Sequence, residues 1–387
     1  MPFDLGALRR YPDVEGPGLE ASDAADRLLI DEAAERGAAI APPLAPDDVV
    51  VLDDAYGAIA LAAADAFGAT PARPIRVHQD LVTGERALHL NAERLALGEA
   101  VASLPLGPEL VAGARLVLVR LPRSLDRLDE LAALVARHAA SDVVIVAGGR
   151  LKHMTLAMNE VLGRSFGRVD VSLARQKSRV LIASEARPAA RTSAPAWPRR
   201  ERHGAEGLEV VAHGGVFAGT GIDIGTRFLL EHLGDAVPDA AHAIDLACGT
   251  GVVAARLART RPGLVVAATD RSASAAASAR LTAEANGVAA RVEVTQADGL
   301  EGFADASERL IVLNPPFHSE AAISTGIAAH LFADAGRVLA PGGELWCVWN
   351  SHLRYRPLLE RTVGPTRQIA RNAKFTITAS RRAAPVA

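Results

Sequence analysis

An asparagine followed by two prolines and an aromatic, Asn314-Pro315-Pro316-Phe317, closes the apolar run Leu310-Ile311-Val312-Leu313. An apolar run of this length, stopped this abruptly, reads as a buried strand. Proline fixes φ and carries no N–H, so the chain beyond Asn314 is stiff and cannot join a ladder. Asn314 is therefore expected at the carboxyl end of a strand, where ligands bind in open α/β sheets. The chemistry that suits this corner is methyl transfer to a planar NH₂ group. The Asn314 side-chain oxygen and the Pro315 carbonyl would accept two hydrogen bonds from the amine. Pro316 would stiffen the turn and Phe317 would stack on the ring. The bland alternative is a Pro-Pro turn that only ends a strand.

A second cluster lies upstream. Asp245-Leu246-Ala247-Cys248-Gly249-Thr250-Gly251 follows a strand and opens a helix. Gly249 and Gly251 let the backbone turn tightly and let a ligand approach closely. The dinucleotide fingerprint Gly-x-Gly-x-x-Gly is not completed, because residue 254 is Ala. Asp245 also disfavours a pyrophosphate and suits a ligand with an amino group and a sulfonium. Asp270, followed by Arg271, ends the next strand, where a carboxylate can accept both hydroxyls of a ribose; the alternative is a surface turn. Asp298-Gly299 comes after the third strand. It is either an acceptor for an adenine amino group or a plain Asp-Gly turn. The three acids and two glycines describe a pocket for S-adenosylmethionine, with Ala247, Cys248, Arg271, Gly299 and Asn314 as further lining.

These residues need an α/β framework to hold them. Val49–Leu52, Ile75–Asp80, Leu116–Val119 and Val143–Ala147 read as strands with helical patterns between them. So do Ala243–Asp245, Leu264–Asp270, Val292–Val294, Ile311–Asn314, Glu344–Asn350 and Lys374–Thr378 in the second half. Alternation of strands and helices implies a mostly parallel sheet. Residues 185–203 lose periodicity and gain Pro and Arg, which predicts a linker between a domain at 1–184 and one at 204–387. The halves share spacing. Asp53 and Asp80 stand as far apart as Asp245 and Asp270 to within two residues, and Arg120 falls where Asn314 does. This points to a duplicated domain. The first half has Tyr56-Gly57-Ala58 for the glycine loop and Arg120-Leu121-Pro122-Arg123 for Asn-Pro-Pro-Phe, so it is expected to keep the fold without the activity.

Composition sets the outer limits. A chain of 387 residues favours two domains, and 49% hydrophobic with 22% charged residues is globular. The formal net charge of −3 excludes a uniformly basic nucleic-acid binder and leaves room for a basic face. Such a face is offered by Arg354, Arg356, Arg361, Arg367, Arg371, Lys374, Arg381 and Arg382, opposed after residue 354 only by Glu360; the alternative is a solvated surface in an Arg-rich proteome. The two cysteines lie far apart without metal-ligand spacing, which suits a reducing cytoplasm and no metal site. No signal peptide and no membrane-spanning run are expected.

The order acid-x-x-x-Gly-x-Gly, ribose Asp, Asn-Pro-Pro-Phe resembles the class I S-adenosylmethionine-dependent methyltransferases that act on exocyclic amines. Asn314 through His318, with Gly215-Val216-Phe217 and Gly221-Ile222-Asp223-Ile224-Gly225, is similar to the ribosomal RNA (guanine-N2)-methyltransferases of the RsmC/RlmG type. Asp23-Ala24-Ala25-Asp26, Asp54–Ala58, Asn350–Tyr355 and Asn372–Phe375 bring it nearer the large-subunit branch. The resemblance covers nearly the whole chain. It departs at Ala247, where the family often has Gly, and in the Pro/Arg-rich stretch. It implies two tandem Rossmann-like domains with a degenerate N-terminal copy and a catalytic C-terminal copy. It also implies ribosomal RNA as substrate, with Phe217, His318, His352, Arg354 and Lys374 as candidate contacts. The alternatives are a small-subunit rRNA target, a protein glutamine or DNA adenine substrate, or a non-catalytic RNA-binding assembly factor.

Overall fold

A computed structural model describes residues 3–316 and 321–383. Phe317 and His318 lie outside the described residues. The chain divides into two compact units, Met1–Trp197 and Pro198–Ala387. Unit 1 contains β1 (Val49–Leu52), β2 (Ile75–His78), β3 (Val101–Ser103), β4 (Leu116–Arg120), β5 (Val144–Arg150), β6 (Phe166–Val171) and β7 (Ser178–Ala186). Unit 2 opens with a hairpin, β8 (Arg199–His203) and β9 (Leu208–Ala212). Its main sheet is built from β10 (His242–Leu246), β11 (Val265–Asp270), β12 (Val292–Gln296), β13 (Glu308–Leu313), β14 (Leu339–Asn350), β15 (Thr366–Arg371) and β16 (Phe375–Arg381).

The two seven-stranded sheets have one topology. Unit 1 runs β3-β2-β1-β4-β5-β7-β6 and unit 2 runs β12-β11-β10-β13-β14-β16-β15. The first five strands in each order are parallel, and the last two pair antiparallel. β1 is Val-Val-Val-Leu and fully buried; β13 ends in four fully buried apolar residues. Such continuous runs arise because helices cover both faces of a parallel sheet. With few aromatics, alanines do much of the packing: Ala58, Ala60, Ala62, Ala63 and Ala64 of helix Ala58–Phe67 are all buried. Each sheet separates two apolar layers, with Trp346 on one side and Phe332 on the other in unit 2.

Strand register sharpens the internal match. Leu246 pairs with Thr269 and with Leu313, so the next residues, Asp270, Ala247 and Asn314, form one row at the strand ends. In unit 1 Leu52 pairs with His78 and Val119, and the same row reads Gln79, Asp53 and Arg120. The partner of Asp270 is therefore Gln79 and not Asp80, and Asp53 matches Ala247 and not Asp245. Gly57 caps its helix as Gly251 does, which leaves Ala55 in the place of Gly249.

Residues 185–203 are more ordered than a linker. β7 extends to Ala186, a short helix spans Pro188–Thr192, and β8 occupies Arg199–His203. Arg-Arg-Glu-Arg-His becomes a strand because β9, Leu-Glu-Val-Val-Ala, supplies the ladder and the buried face. The outer edge of β9 is met by a polar stripe on helix Ala273–Ala285 and its cap. Ser278 Oγ accepts from His213 N at 2.9 Å. Thr282 Oγ1 accepts from Val211 N at 3.0 Å and donates to Val211 O. Asn286 accepts from Glu209 N and donates to Glu209 O at 2.7 Å. Side chains four apart on the helix thus bond alternate residues of the strand.

Candidate active site

In unit 2 the strand order reverses direction between β10 and β13, and the crevice beyond their carboxyl ends is where such sheets bind ligands. A cleft there is lined by Phe217, Asp223, Thr226, Asp245, Ala247, Cys248, Gly249 and Asn314. The cleft is small, about 60 Å³.

Asn314 is held by residues distant in sequence. Its Nδ2 donates to Thr226 Oγ1 at 2.9 Å and approaches Asp223 Oδ2 at 3.4 Å. Asp223 caps helix Ile224–Leu230, accepting from Gly225 N and Thr226 N. An ionised carboxylate only accepts, so the amide nitrogen must face Asp223. Asn314 Oδ1 is then left buried, with no hydrogen-bond partner among the described residues. Such an orphan is an acceptor waiting for a donor. Pro315 is buried and Pro316 exposed.

The loop after β10 takes three left-handed residues, Ala247, Gly249 and Gly251. The two glycines serve different ends. A Cβ on Gly251 would lie 2.8 Å from Ala279 Cβ, so this glycine lets two helices touch. A Cβ on Gly249 would meet nothing within 4 Å, so this one faces open space. Ala247 adopts φ 55° without being glycine, as Asp53 does in unit 1 at 57°. Asp270 braces the loop: Oδ2 accepts from Gly249 N and Oδ1 from Ser272 N, both at 2.9 Å.

Asp245 is 3% exposed, and its Oδ2 accepts from Ala254 N at 2.9 Å. Burial pushes its pKa up to about 7, the Ala254 N–H opposing and Asp270 adding to the rise. Burial, with Asp270 and Asp245 nearby, raises the Cys248 thiol well above its usual value, so it stays neutral. A cationic ligand is what these two carboxylates lack. The orphaned Asn314 oxygen, the open face of Gly249 and the buried acid together fit the reacting end of S-adenosylmethionine beside an amine.

The other expected residues lie outside this cleft. Asp298 is half-buried after β12, 3.8 Å from His330 Nε2. Gly299 has φ 62° and packs against the Asp334 carboxylate. Arg271 follows β11, its carbonyl accepting from Gln296 Nε2. His352, Arg354 and Lys374 are exposed beyond β14, where Ser351 N donates to Lys374 O. Thr226 was not foreseen; a threonine one turn into a helix carries no pattern that links it to a residue 88 positions away.

Unit 1 builds the same corner and closes it. Arg120 bonds Asp26 at 3.2 Å and Asp23 at 3.5 Å, where Asp23 caps helix Ala24–Ala39 as Asp223 caps its own. Gln79 Nε2 donates to the loop carbonyls of Asp54 and Ala55 in place of the Asp270 carboxylate that accepts from the loop. Asp54 is buried at the position of Cys248, accepting from Ile59 N and Ala60 N.

Among the described residues no group of three or more His, Cys, Asp or Glu is placed to hold a metal, and no helix is long and apolar enough to cross a membrane.

Fold and site define an α/β methyltransferase unit in a chain that carries a second unit of the same sheet topology. The Methyltransferase small domain family matches residues 207–379 and the RLMG N-terminal domain family matches residues 2–188. Ribosomal RNA large subunit methyltransferase G of Streptomyces coelicolor is 36% identical over 382 residues, covering 97% of this chain and 98% of its own. The protein of the same name from Pseudomonas aeruginosa is 37% identical over 380 residues, 97% of each. Among solved structures, the T. thermophilus 16S rRNA N2 methyltransferase RsmC, in complex with AdoMet and guanosine, superposes with a TM-score of 0.71 at 20% identity. It covers 95% of this chain and 97% of its own. The chain belongs to the ribosomal RNA large subunit methyltransferase G family.

Proposed function

We propose that this chain methylates the exocyclic N2 amine of a guanine in large-subunit ribosomal RNA. The observation that carries the reading is the Asn314 carbonyl oxygen, buried, oriented by Thr226 and Asp223, and unpartnered among the described residues. S-adenosylmethionine supplies, when bound, a methyl group on a positively charged sulfur. Asp245 and the Gly249 turn would hold its amino acid end, Asp270 with Arg271 its ribose, and Asp298 with Gly299 its base. Asn314 Oδ1 and the Pro315 carbonyl accept the two amine hydrogens, which aims the nitrogen lone pair along one line. Such positioning is the main need of an in-line displacement. Phe317 would stack on a base drawn out of its helix. His318, His352, Lys374 and the half-exposed Phe217 are the candidate contacts to the rest of the RNA.

The N-terminal unit keeps the fold and fills its cleft with Arg120, so its part is to hold RNA or brace the catalytic unit. A protein glutamine or DNA adenine presents the same NH₂ geometry; the relatives' names favour ribosomal RNA, and the large subunit over the small. A cytoplasmic location goes with that substrate. The test is methyl transfer by the purified protein to 23S and 16S rRNA from cells lacking it, followed by nucleoside mass spectrometry. N2-methylguanosine in 23S rRNA is the expected product. Methylation of only 16S rRNA, protein or DNA would replace the reading.

A further inference from the structure

Past Asn314, across β14 toward the sheet edge, lies a cavity of about 350 Å³. Its floor is made of hydroxyls. Ser351 Oγ and Thr376 Oγ1 lie 2.8 Å apart, and Thr378 Oγ1 accepts from Trp349 Nε1 at 3.3 Å. Its rim is basic, with Arg354, Arg356 and Arg371, and Gln368 completes one wall. Pairing across three strands stacks these groups: Trp349 opposes Thr376, which opposes Arg371, and Thr378 opposes Gln368. Arg356 is paired with Glu360 at 2.9 Å. Among the described residues no acid pairs with Arg354 or Arg371. Arg354 also holds a φ of 50°, a backbone uncommon outside glycine and kept where surrounding structure demands it.

The duplication serves as a control. The short helix Leu151–His153 follows β5 as Ser351–Leu353 follows β14, so Met154 and Leu156 stand where unit 2 has Arg354 and Arg356. Two of the three rim arginines thus have no counterpart in the half whose cleft Arg120 fills. The cavity lies over β16, two strands from β13, near the carboxyl end of the same sheet, on the face of Leu313 and Trp349 and opposite to the face where Asn314 meets Thr226.

We infer that this cavity is a subsite for the RNA strand. It takes one phosphodiester on Arg354 and Arg371, with its attached nucleotide, from the strand that passes round the carboxyl end of the sheet to offer its base to Asn314. The volume suits a ligand of about one nucleotide, at the small end of ordinary pockets. Trp349 is 5% exposed, so recognition is not by stacking. The hydroxyl floor and Gln368 instead meet polar edges, including the ribose 2′-OH that marks RNA. The inference rests on the proposed RNA substrate.

The experiment uses the full chain and a single-stranded RNA fragment spanning the target guanine. Arg354→Gln with Arg371→Gln should raise KM for the fragment about tenfold, with kcat and S-adenosylmethionine affinity within twofold of wild type. It should also lower the salt slope of RNA binding by about 0.7, the share of one phosphate on a single strand. Arg354→Lys should keep the slope. Gln368→Leu, which removes no charge, should raise KM severalfold at an unchanged slope. An unchanged slope in the double variant overturns the subsite. So does an unchanged KM in Gln368→Leu, which leaves only a general basic surface. Should wild type transfer no methyl group to RNA, the functional reading falls, and the slope and the binding constant of Gln368→Leu still decide the subsite.

Discussion

In the proposed reaction Asn314 acts through one oxygen, whose orientation follows from the bonds of its amide nitrogen to Thr226 and Asp223. Asn314→Ala is expected to lower kcat at least about 100-fold, the scale on which removing one oriented polar group in an active site is felt, while S-adenosylmethionine affinity stays within twofold by calorimetry. A variant keeping half of wild-type turnover would remove Asn314 from the chemistry. Thr226→Val keeps the shape of the side chain and frees the amide to turn. About tenfold should be lost from kcat with KM unchanged, and Thr226→Ser should restore it; loss in both variants alike would mean a purely structural role. Asp245 gives the site a pH dependence. Its pKa is pushed up to about 7 by burial, so the folded state holds the proton more tightly than the unfolded chain. Its contribution to stability is full below about pH 4 and is lost as pH rises through about 7, by at most roughly 4 kcal/mol. Asp245→Asn should flatten the denaturation midpoint of the C-terminal unit across that window. A cationic ligand favours the ionised carboxylate, so affinity for S-adenosylmethionine should climb between pH 6 and 7 with release of a proton. Calorimetry at pH 6.5 in two buffers of different ionisation enthalpy measures it, and binding without proton release removes Asp245 from contact with the cation.

The loop after β10 separates two demands that a glycine motif merges in sequence. Gly251→Ala drives a methyl into Ala279 at a positive φ and should destabilise unit 2 by about 2–4 kcal/mol. Gly249→Ala meets open space, should cost about 1 kcal/mol, and should instead weaken cofactor binding. Equal losses of stability in the two variants would undo the distinction. The motif itself was legible because its cause is local: a strand, a turn, a helix start. Most of the buried strands were legible for the same reason, as unbroken apolar runs, but β7 and β9 were passed over although both are largely buried. The edge strands β6 and β15 were not. Both expose all but their first residue wholly or in part, and Phe-Gly-Arg-Val-Asp-Val and Thr-Arg-Gln-Ile-Ala-Arg carry no run or clean alternation. β8 was hidden by its charge, since only β9 makes it a strand. Thr226, and the match of Gln79 to Asp270, needed register and tertiary contact, which no spacing encodes.

At the scale of the whole chain, two units of one topology differ in what fills one corner. In unit 1 the Arg120 guanidinium sits against Asp26, which is 1% exposed and whose pKa burial pushes up to about 6 against the pull of Arg120. Arg120→Ala leaves that carboxylate uncompensated. With the Arg120 side chain 31% exposed, a loss of about 2–3 kcal/mol is expected. Two compact units predict two calorimetric transitions, of which only the N-terminal one should fall, by about 5–10 °C. A fall in both, or in the other, would couple the units through Arg120. A separated catalytic unit must begin at Pro198, because a start at residue 204 deletes β8. Such a fragment should bind S-adenosylmethionine and lose most activity on RNA. The same cut bears on the fate of β9. One of its edges belongs to β8, and the other is occupied by Ser278, Thr282 and Asn286. A helix advances about 6.0 Å over four residues and a strand about 6.8 Å over two, near enough for three side chains to imitate a neighbouring strand. An apolar strand so enclosed offers no template to another chain. Deletion of β8, or alanine at Ser278 and Thr282, would bare Leu-Glu-Val-Val-Ala and turn an internal seam into a site for strand-to-strand aggregation.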